Sequence, residues 1–342
     1  MPKECTVKQN SLKAWILAAR PKTLTGAIAP VLVGIALAYA VLGKTIVQPG
    51  HLIPAVLCLL FAILMQIDAN LINDYYDFKR GADNGERLGP ERACVQGWIT
   101  MRAMWAGIVT VTVIACLAGL PLVYYGGWGM LIVGALCVLG AFLYTTRFSY
   151  NGLGDVMVVI FFGIIPVLIT FHVITFDLTA ALRYPAEYFL YFLYILKWGG
   201  MAVVAGLGMG LVVNNLLIVN NYRDRVQDLK NGKMTLVVAI GEKATEWLYL
   251  INGILGVGLM IFVLRWLQGF FYVPPEAKWW LSFPYYLVIP LLFLPFLFSA
   301  HRNMVRINHG RELNAVLGQT ARNILIYSLL FVLSIVVTIL VA

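Results

Sequence analysis

The chain has 342 residues, of which 61% are hydrophobic and 12% are charged, and its mean hydropathy is +0.84. Soluble domains have roughly 45–50% apolar and about 25% charged residues, so this composition excludes an ordinary water-soluble fold. The net charge of +9 would suggest a nucleic-acid partner for a soluble chain, but its distribution along this chain indicates a membrane protein with no nucleic-acid partner.

Nine apolar segments are each long enough to cross a hydrocarbon core of roughly 30 Å. They lie at residues 24–43, 52–72, 104–124, 128–146, 154–176, 199–219, 244–264, 281–299 and 321–342. Before them, Ser11 is a candidate N-cap for a short amphipathic helix at the membrane surface, within an N-terminal segment of residues 1–22. The sequence therefore predicts an all-α integral membrane protein with a single domain over residues 1–342.

The basic residues fall mainly on one side of the predicted membrane. If the nine segments alternate in direction, 20 of the 25 Lys and Arg residues lie on the side of the N-terminus. Because short cytoplasmic loops retain positive charge, this distribution predicts that the N-terminus and the long basic loops lie in the cytoplasm. Anionic membrane lipid is an expected partner of these loops.

Two short stretches that follow the second and sixth segments are similar. Residues 73–77 read Asn-Asp-Tyr-Tyr-Asp, and residues 220–224, which begin 147 positions later, read Asn-Asn-Tyr-Arg-Asp. The match predicts two related halves of four helices each, followed by a last helix, and sites in such proteins often lie where the halves meet.

Aspartates are concentrated in these two stretches and in the loops predicted at about 73–103 and 220–243. The first stretch has Asp74, Asp77 and Asp83, and the second has Asp224 and Asp228. Spacings of three and four residues place side chains on one face of a helix. Clustered carboxylates repel one another unless a cation intervenes, and Mg²⁺ prefers oxygen ligands together with phosphate oxygens. The five aspartates are therefore the predicted metal ligands.

The same stretches resemble the UbiA superfamily of membrane prenyltransferases, and within it the 1,4-dihydroxy-2-naphthoate polyprenyltransferases of menaquinone synthesis. Further matching stretches are residues 20–24 (Arg-Pro-Lys-Thr-Leu), 87–90 (Arg-Leu-Gly-Pro) and 231–236 (Asn-Gly-Lys-Met-Thr-Leu), and the matches keep their order along nearly the whole chain. One departure is Gly81, where the wider superfamily usually has an aspartate and this chain has Asp83 two residues later.

The resemblance implies a bundle of nine transmembrane helices around a central cavity. It also implies Mg²⁺-dependent transfer of a polyprenyl group from polyprenyl diphosphate to 1,4-dihydroxy-2-naphthoate, with release of diphosphate and CO₂, to give a demethylmenaquinone. Arg87, Arg92 and Lys233 are the candidates for holding the diphosphate, because basic side chains pair with phosphate oxygens. Lys22 and Arg147 are the candidates for binding the anionic acceptor.

The remaining catalytic candidates serve the carbocation that is left when diphosphate departs. Aromatic faces attract cations, and Tyr144 is the preferred aromatic candidate over Tyr75, Tyr76 and Tyr222. Asn70 and Asn73 join Asp77, Asp224 and Asp228 as predicted catalytic residues, with the Asn70 carbonyl directed at the cation or the start of the chain. Asp68, an ionisable residue at membrane depth, is expected to face the cavity or to lie close to its mouth, because an isolated charge in the membrane is costly.

Three other functions are consistent with parts of the pattern. A related prenyltransferase with another aromatic or lipid acceptor would share every motif. An ion-coupled secondary transporter would also have repeats and membrane carboxylates, although its acids should lie near the bilayer midplane. A non-catalytic lipid-binding protein would tolerate replacement of the aspartates. The sequence indicates neither the donor chain length nor the oligomeric state.

Overall fold

The computed structural model of the protein describes residues 7–43, 49–81, 88–176, 198–269 and 285–341. Within these ranges nine helices are long and apolar enough to cross a membrane, which confirms the nine predicted segments. They are Thr25–Leu42, Leu52–Lys79, Met101–Gly119, Gly129–Tyr150, Gly154–Thr175, Gly200–Lys230, Leu236–Gln268, Val288–Ile307 and Leu313–Leu340.

We number the α-helices in chain order. They are α1 (Leu12–Ala19), α2 (Thr25–Leu42), α3 (Leu52–Lys79), α4 (Met101–Gly119), α5 (Leu122–Gly126), α6 (Gly129–Thr146), α7 (Gly154–Val159), α8 (Ile165–Thr175), α9 (Gly200–Lys230), α10 (Leu236–Gln268), α11 (Tyr285–Leu291), α12 (Leu294–Ile307) and α13 (Leu313–Val341). A π-helical turn, Ile160–Ile164, joins α7 and α8 into one span.

The short helix α1 begins as the sequence predicts. The Ser11 hydroxyl accepts a hydrogen bond from the Ala14 amide, which satisfies one of the amides that a helix N-terminus leaves without an intrahelical partner. Ala14 and Ala18 are buried, whereas Leu12 and Ile16 are exposed. The helix therefore lies against the bundle through small side chains and presents larger apolar ones outward.

Helix α9 lies at the centre of the bundle, where it contacts α2, α7, α8, α10 and α13. Glycines allow its backbone to approach that of the π-helical turn. A Cβ atom built on Gly163 would lie 2.4 Å from the Gly210 Cα and 2.5 Å from the Gly206 carbonyl oxygen. Small residues are the usual means of close helix packing in membranes, so this contact fixes α7 and α8 against the helix that carries the second Asp stretch.

Helices α3 and α9 continue well beyond their apolar segments. The predicted segments end at residues 72 and 219, whereas the helices end at Lys79 and Lys230. This corrects the prediction that loops begin at residues 73 and 220: both Asp stretches begin on helices. Helical geometry therefore fixes which of their side chains share a face.

Candidate functional site

The two Asp stretches meet at one cavity, which we call the polar chamber. Its volume is about 70 Å³, and its wall includes Asn73, Asp77, Arg92, Tyr144, Asp224 and Asp228. Asn73 and Asp77 come from the end of α3, and the two other aspartates come from the end of α9. The predicted convergence of stretches that begin 147 residues apart is therefore present in the structure.

Each of the three predicted metal ligands in this wall is paired with a basic side chain. Arg92 donates to Asp77 across 2.9 Å, and Lys233 lies 3.6 Å from Asp228. Asp224 pairs with its neighbour Arg223. Arg92 and Lys233 both line the chamber, as expected of residues that would hold a diphosphate. An anion that enters the chamber would therefore contact the Arg92 and Lys233 side chains.

Asp74 does not fit the predicted role of a metal ligand. Its carboxylate accepts hydrogen bonds from the amides of Ala93 (2.9 Å) and Cys94 (3.2 Å), its exposed fraction is 1%, and it lines neither the polar chamber nor the larger cavity beside it. The reason is its position on α3, which directs it toward the loop before α4 rather than toward α9. Asp74 thus anchors the loop that places Arg92.

A second loop contact positions Lys233. The amide of Met234 donates to the Tyr150 carbonyl across 3.2 Å, and Asn151 and Met234 form an isolated parallel bridge. The Lys233 ammonium lies 5.8 Å from the centre of the Tyr150 ring. Pairing between the loops after α6 and α9 therefore holds this ammonium at the chamber.

A larger cavity, the apolar chamber, continues from the polar chamber between the helices. Its volume is about 760 Å³, and its wall comes mainly from apolar side chains of α2, α3, α6, α8 and α9. The two chambers share the following lining residues, which we call the junction: Asn73, Arg92, Tyr144, Leu217 and Asn220. At the junction, the Tyr144 ring and the side-chain amides of Asn73 and Asn220 lie between the polar chamber and the apolar chamber.

Tyr144 occupies the position that its predicted role requires, and the three other tyrosines do not. Tyr75 packs against Trp105, with ring centres 5.4 Å apart, and against Tyr76. The Tyr222 hydroxyl donates to Glu246 across 2.9 Å. None of these three lines either chamber.

Asn70 lines the apolar chamber, but its amide atoms are already engaged. Its Nδ2 donates to the Ala19 carbonyl (2.9 Å) and to Thr23 Oγ1 (3.0 Å), and its Oδ1 accepts from Gln66 Nε2 (3.4 Å). Because an amide oxygen can accept two hydrogen bonds, Asn70 Oδ1 has capacity for one more, and its predicted role toward a cation stays a prediction. Asn70 holds the turn between α1 and α2.

That turn determines which basic residue of the Arg-Pro-Lys-Thr stretch reaches the cavity. Arg20 has a left-handed backbone conformation (φ 51°) and lines the apolar chamber. Lys22 is exposed and lines neither chamber, and the same is true of Arg147 at the end of α6. The structure therefore does not place Lys22 or Arg147 at either chamber, and the basic residue of this stretch that reaches a chamber is Arg20. The left-handed backbone conformation of Arg20 is rare outside glycine. Thr23 stabilises it, because its hydroxyl donates to the Arg20 carbonyl across 2.9 Å.

Two carboxylates, Asp155 and Asp68, lie within membrane spans, and only Asp68 was singled out from the sequence. Asp155, on α7, lines the polar chamber and accepts a hydrogen bond from Asn214 Nδ2 across 3.0 Å. The sequence feature that could have identified Asp155 is an acidic residue within an apolar segment, which is also the feature that identified Asp68. Asp68 itself is fully buried, accepts from the Thr112 hydroxyl across 2.7 Å and lines neither chamber, so of the two expected positions the one facing the cavity is excluded.

Two predicted residues cannot be placed: Asp83 and Arg87 lie outside the described residues. Among those described, no group of three or more His, Cys, Asp or Glu side chains is close enough to hold an ion by itself. The polar chamber nevertheless offers hard oxygen donors: the carboxylates of Asp77, Asp155, Asp224 and Asp228, with hydroxyl and amide oxygens beside them. Because Mg²⁺ usually takes one or two carboxylates and completes its shell with water and phosphate oxygens, this donor set fits an ion shared with a bound diphosphate.

Residues 27–302 match the UbiA prenyltransferase family. The chain is 32% identical over 338 residues to the 1,4-dihydroxy-2-naphthoate octaprenyltransferase of Escherichia coli strain K12, covering 94% of this chain and 95% of that protein. It is also 32% identical over 327 residues to the 1,4-dihydroxy-2-naphthoate octaprenyltransferase of Mycobacterium tuberculosis strain H37Rv, covering 93% and 95%.

A similar fold is found in a UbiA homolog from Archaeoglobus fulgidus, whose structure was solved bound to GPP and Mg²⁺. The TM-score is 0.58 at 15% sequence identity, and the match covers 95% of this chain and 99% of that chain. Together with the family and sequence matches, it confirms the resemblance and the fold that the motifs indicated.

Proposed function

The chain belongs to the UbiA prenyltransferase family, and on this premise we propose that it transfers a polyprenyl group from polyprenyl diphosphate to 1,4-dihydroxy-2-naphthoate. The observation that carries the proposal is the junction, where a chamber lined by acids and bases opens into a chamber of about 760 Å³ lined by apolar side chains. A polyprenyl diphosphate likewise consists of a charged diphosphate and an apolar hydrocarbon chain. The naphthoate octaprenyltransferases that resemble the chain over nearly its full length support the choice of acceptor.

The donor binds with its diphosphate in the polar chamber and its hydrocarbon chain in the apolar chamber. Arg92 and Lys233 bind the diphosphate oxygens, and Asp77, Asp224 and Asp228 would hold Mg²⁺. Bound Mg²⁺ supplies positive charge that stabilises the leaving diphosphate. On donor binding Arg92 and Lys233 transfer from Asp77 and Asp228 to the phosphate, which would allow these two carboxylates to bind the ion.

The junction protects and guides the allylic cation. A water-poor cavity prevents its capture by water. Tyr144 presents an aromatic ring to it, an interaction worth about 0.5–2 kcal/mol. Asn73 and Asn220 line the same passage from the two related halves of the chain.

The acceptor reaction balances without a protein base. The allylic C–O bond breaks and its electron pair leaves with diphosphate. The ring carbon that bears the carboxylate then supplies the pair for the new C–C bond, and the carboxylate departs as CO₂, which returns a pair to the ring. Both hydroxyl groups remain, so the immediate product is the hydroquinone form of demethylmenaquinone. Arg20 in the chamber wall offers the carboxylate a guanidinium partner before it is lost.

The polar chamber faces the cytoplasm in this proposal, in a bacterial-type inner membrane. The ends of α3 and α9 that line the chamber lie on the same predicted side as the N-terminus, where 20 of the 25 Lys and Arg residues fall. A water-soluble naphthoate and released diphosphate can then exchange directly with the cytoplasm.

The proposal is tested with purified protein in detergent. The protein is incubated with polyprenyl diphosphates of several chain lengths and 1,4-dihydroxy-2-naphthoate, with Mg²⁺ or with EDTA, and prenylated products and CO₂ are measured. We expect product only with Mg²⁺, in a 1:1 ratio to CO₂. Absence of product with every donor contradicts the proposal, and product from a different aromatic acceptor alone assigns the chain to another reaction of its family.

A further inference from the structure

Four carboxylates line the polar chamber, and one of them differs from the rest. Asp77, Asp224 and Asp228 each lie within salt-bridge distance of an Arg or Lys side chain. Asp155 has an exposed fraction of 6% and forms no ion pair with any residue in the described ranges. Its side-chain partner is the amide of Asn214. Sequestering a carboxylate from water without a cation is costly, so its retention in a chamber requires an explanation.

Its surroundings account for only part of that cost. Asp155 lies in the first turn of α7, where the helix dipole favours an anion, but this effect does not require burial. Asn214 has an exposed fraction of 3%, and its Oδ1 has no hydrogen-bond partner among the described residues. Among the described residues, the Asn214 side chain therefore forms its hydrogen bond with Asp155. An ionised carboxylate has about four acceptor positions, so Asp155 retains capacity for a donor that enters the chamber.

The position of Asp155 identifies the kind of donor. A Cβ atom built on the preceding residue, Gly154, would lie 3.6 Å from Tyr144 Cε2 and 3.6 Å from Leu217 Cδ2. Tyr144 and Leu217 are both junction residues, so this part of the α7 wall lies where the chambers meet. The ring must reach the allylic carbon there, and its hydroxyl groups are the donors that it brings.

We propose that Asp155 accepts a hydrogen bond from a ring hydroxyl of the aromatic acceptor and thereby orients the ring at the junction. The inference rests on the proposed function and adds the subsite that recognises the acceptor as a phenol. A hydrogen bond from a hydroxyl to a carboxylate is charge-assisted and shifts electron density toward the ring, which favours attack by a ring carbon. A site built around such a bond also disfavours aromatic acids that have no hydroxyl.

The kinetic test compares Asp155→Asn with Asp68→Asn. Asp68 is a matched control, because it is buried within a span and bonded to an uncharged side chain, yet lines neither chamber. For Asp155→Asn we expect kcat/KM for 1,4-dihydroxy-2-naphthoate to fall by about 10- to 100-fold, the range for a hydrogen bond to a charged group. Donor KM and the Mg²⁺ concentration for half-maximal activity should stay within about twofold in both variants.

A binding test separates this inference from the proposed reaction. Equilibrium dialysis without donor measures the affinity for 1,4-dihydroxy-2-naphthoate and for 2-naphthoate, which has no hydroxyl. Wild type and Asp68→Asn should prefer the dihydroxy acid, and Asp155→Asn should lose that preference. If wild type binds and prenylates no naphthoate, the proposed function fails.

If wild type is active but Asp155→Asn keeps its preference and its acceptor kcat/KM, the inference alone is overturned. A raised Mg²⁺ requirement in Asp155→Asn would also overturn it, because the residue would then be a metal ligand. Thermal unfolding in detergent reports whether each variant folds. If Asp155→Asn does not fold, Asn214→Ala replaces it: loss of the orienting amide should weaken the preference for the dihydroxy acid, and an unchanged preference contradicts the inference.

Discussion

Asp74 and Asp77 are three residues apart on α3, yet they meet different surroundings. Asp74 is bonded to two backbone amides of the loop before α4, and Asp77 faces Arg92 and the end of α9. Spacing alone places both on one helical face. What separates their roles is the tertiary structure, because the loop covers one carboxylate and the chamber receives the other.

This difference predicts opposite consequences for two similar substitutions. Asp77→Asn should lower kcat by at least about 100-fold, because in the proposed function Asp77 is a ligand of the diphosphate-bound ion. The loss of stability should be small, because the amide oxygen of Asn can still accept the hydrogen bond from Arg92. Asp74→Asn weakens two charge-assisted hydrogen bonds, worth about 1.5–3 kcal/mol each, and should mainly lower the unfolding temperature in detergent. Steady-state kinetics and thermal unfolding of both variants check the prediction. Equal losses of kcat at equal stability would contradict it.

At the scale of elements, the site depends on how closely α9 approaches the π-helical turn between α7 and α8. Gly163, Gly206 and Gly210 bring the two backbones together. Asp155 is on α7 and Asp224 is on α9, so this contact joins two elements that form the wall of the polar chamber.

Gly163→Val should therefore be strongly destabilising. Its Cβ would lie 2.4 Å from a backbone carbon, which a side-chain rotation cannot relieve, and overpacking typically costs about 1–3 kcal/mol or more. Gly258→Val is the control, since a Cβ there meets nothing within 4 Å. Thermal unfolding and size-exclusion profiles in detergent measure the difference. A Gly163→Val protein as stable as the control would show that this close contact is not required.

At the scale of the whole molecule, two chambers of different character share one junction. In the proposed function, the polar chamber binds the diphosphate that leaves, and the apolar chamber determines how much hydrocarbon is accommodated. Helices from both halves of the chain contribute to each chamber, so neither half contains the site by itself.

The volume of the apolar chamber should influence donor length. Gly134 lines this chamber, and a Cβ atom there meets nothing within 4 Å, so a large side chain has room to enter. Gly134→Phe should reduce kcat/KM more for long donors than for short ones, measured over a series of polyprenyl diphosphates. Gly258→Phe adds the same ring at an open position outside both chambers and should leave the length profile unchanged. A parallel decrease for all donors would place the hydrocarbon chain elsewhere.

The sequence by itself determined the nine spans, the family and the two Asp stretches, because hydropathy and short motifs depend on each residue and its near neighbours. The tertiary structure decided that Asp77 and not Asp74 reaches the chamber, that Arg20 and not Lys22 lines the cavity, and that Asp155 belongs to the site. Those outcomes depend on contacts between distant parts of the chain. Asn70 fixes the Arg20 turn from 51 residues away, and Asn214 holds Asp155 from 59 residues away. Local spacing carries no information about such contacts, since they exist only once the helices have packed.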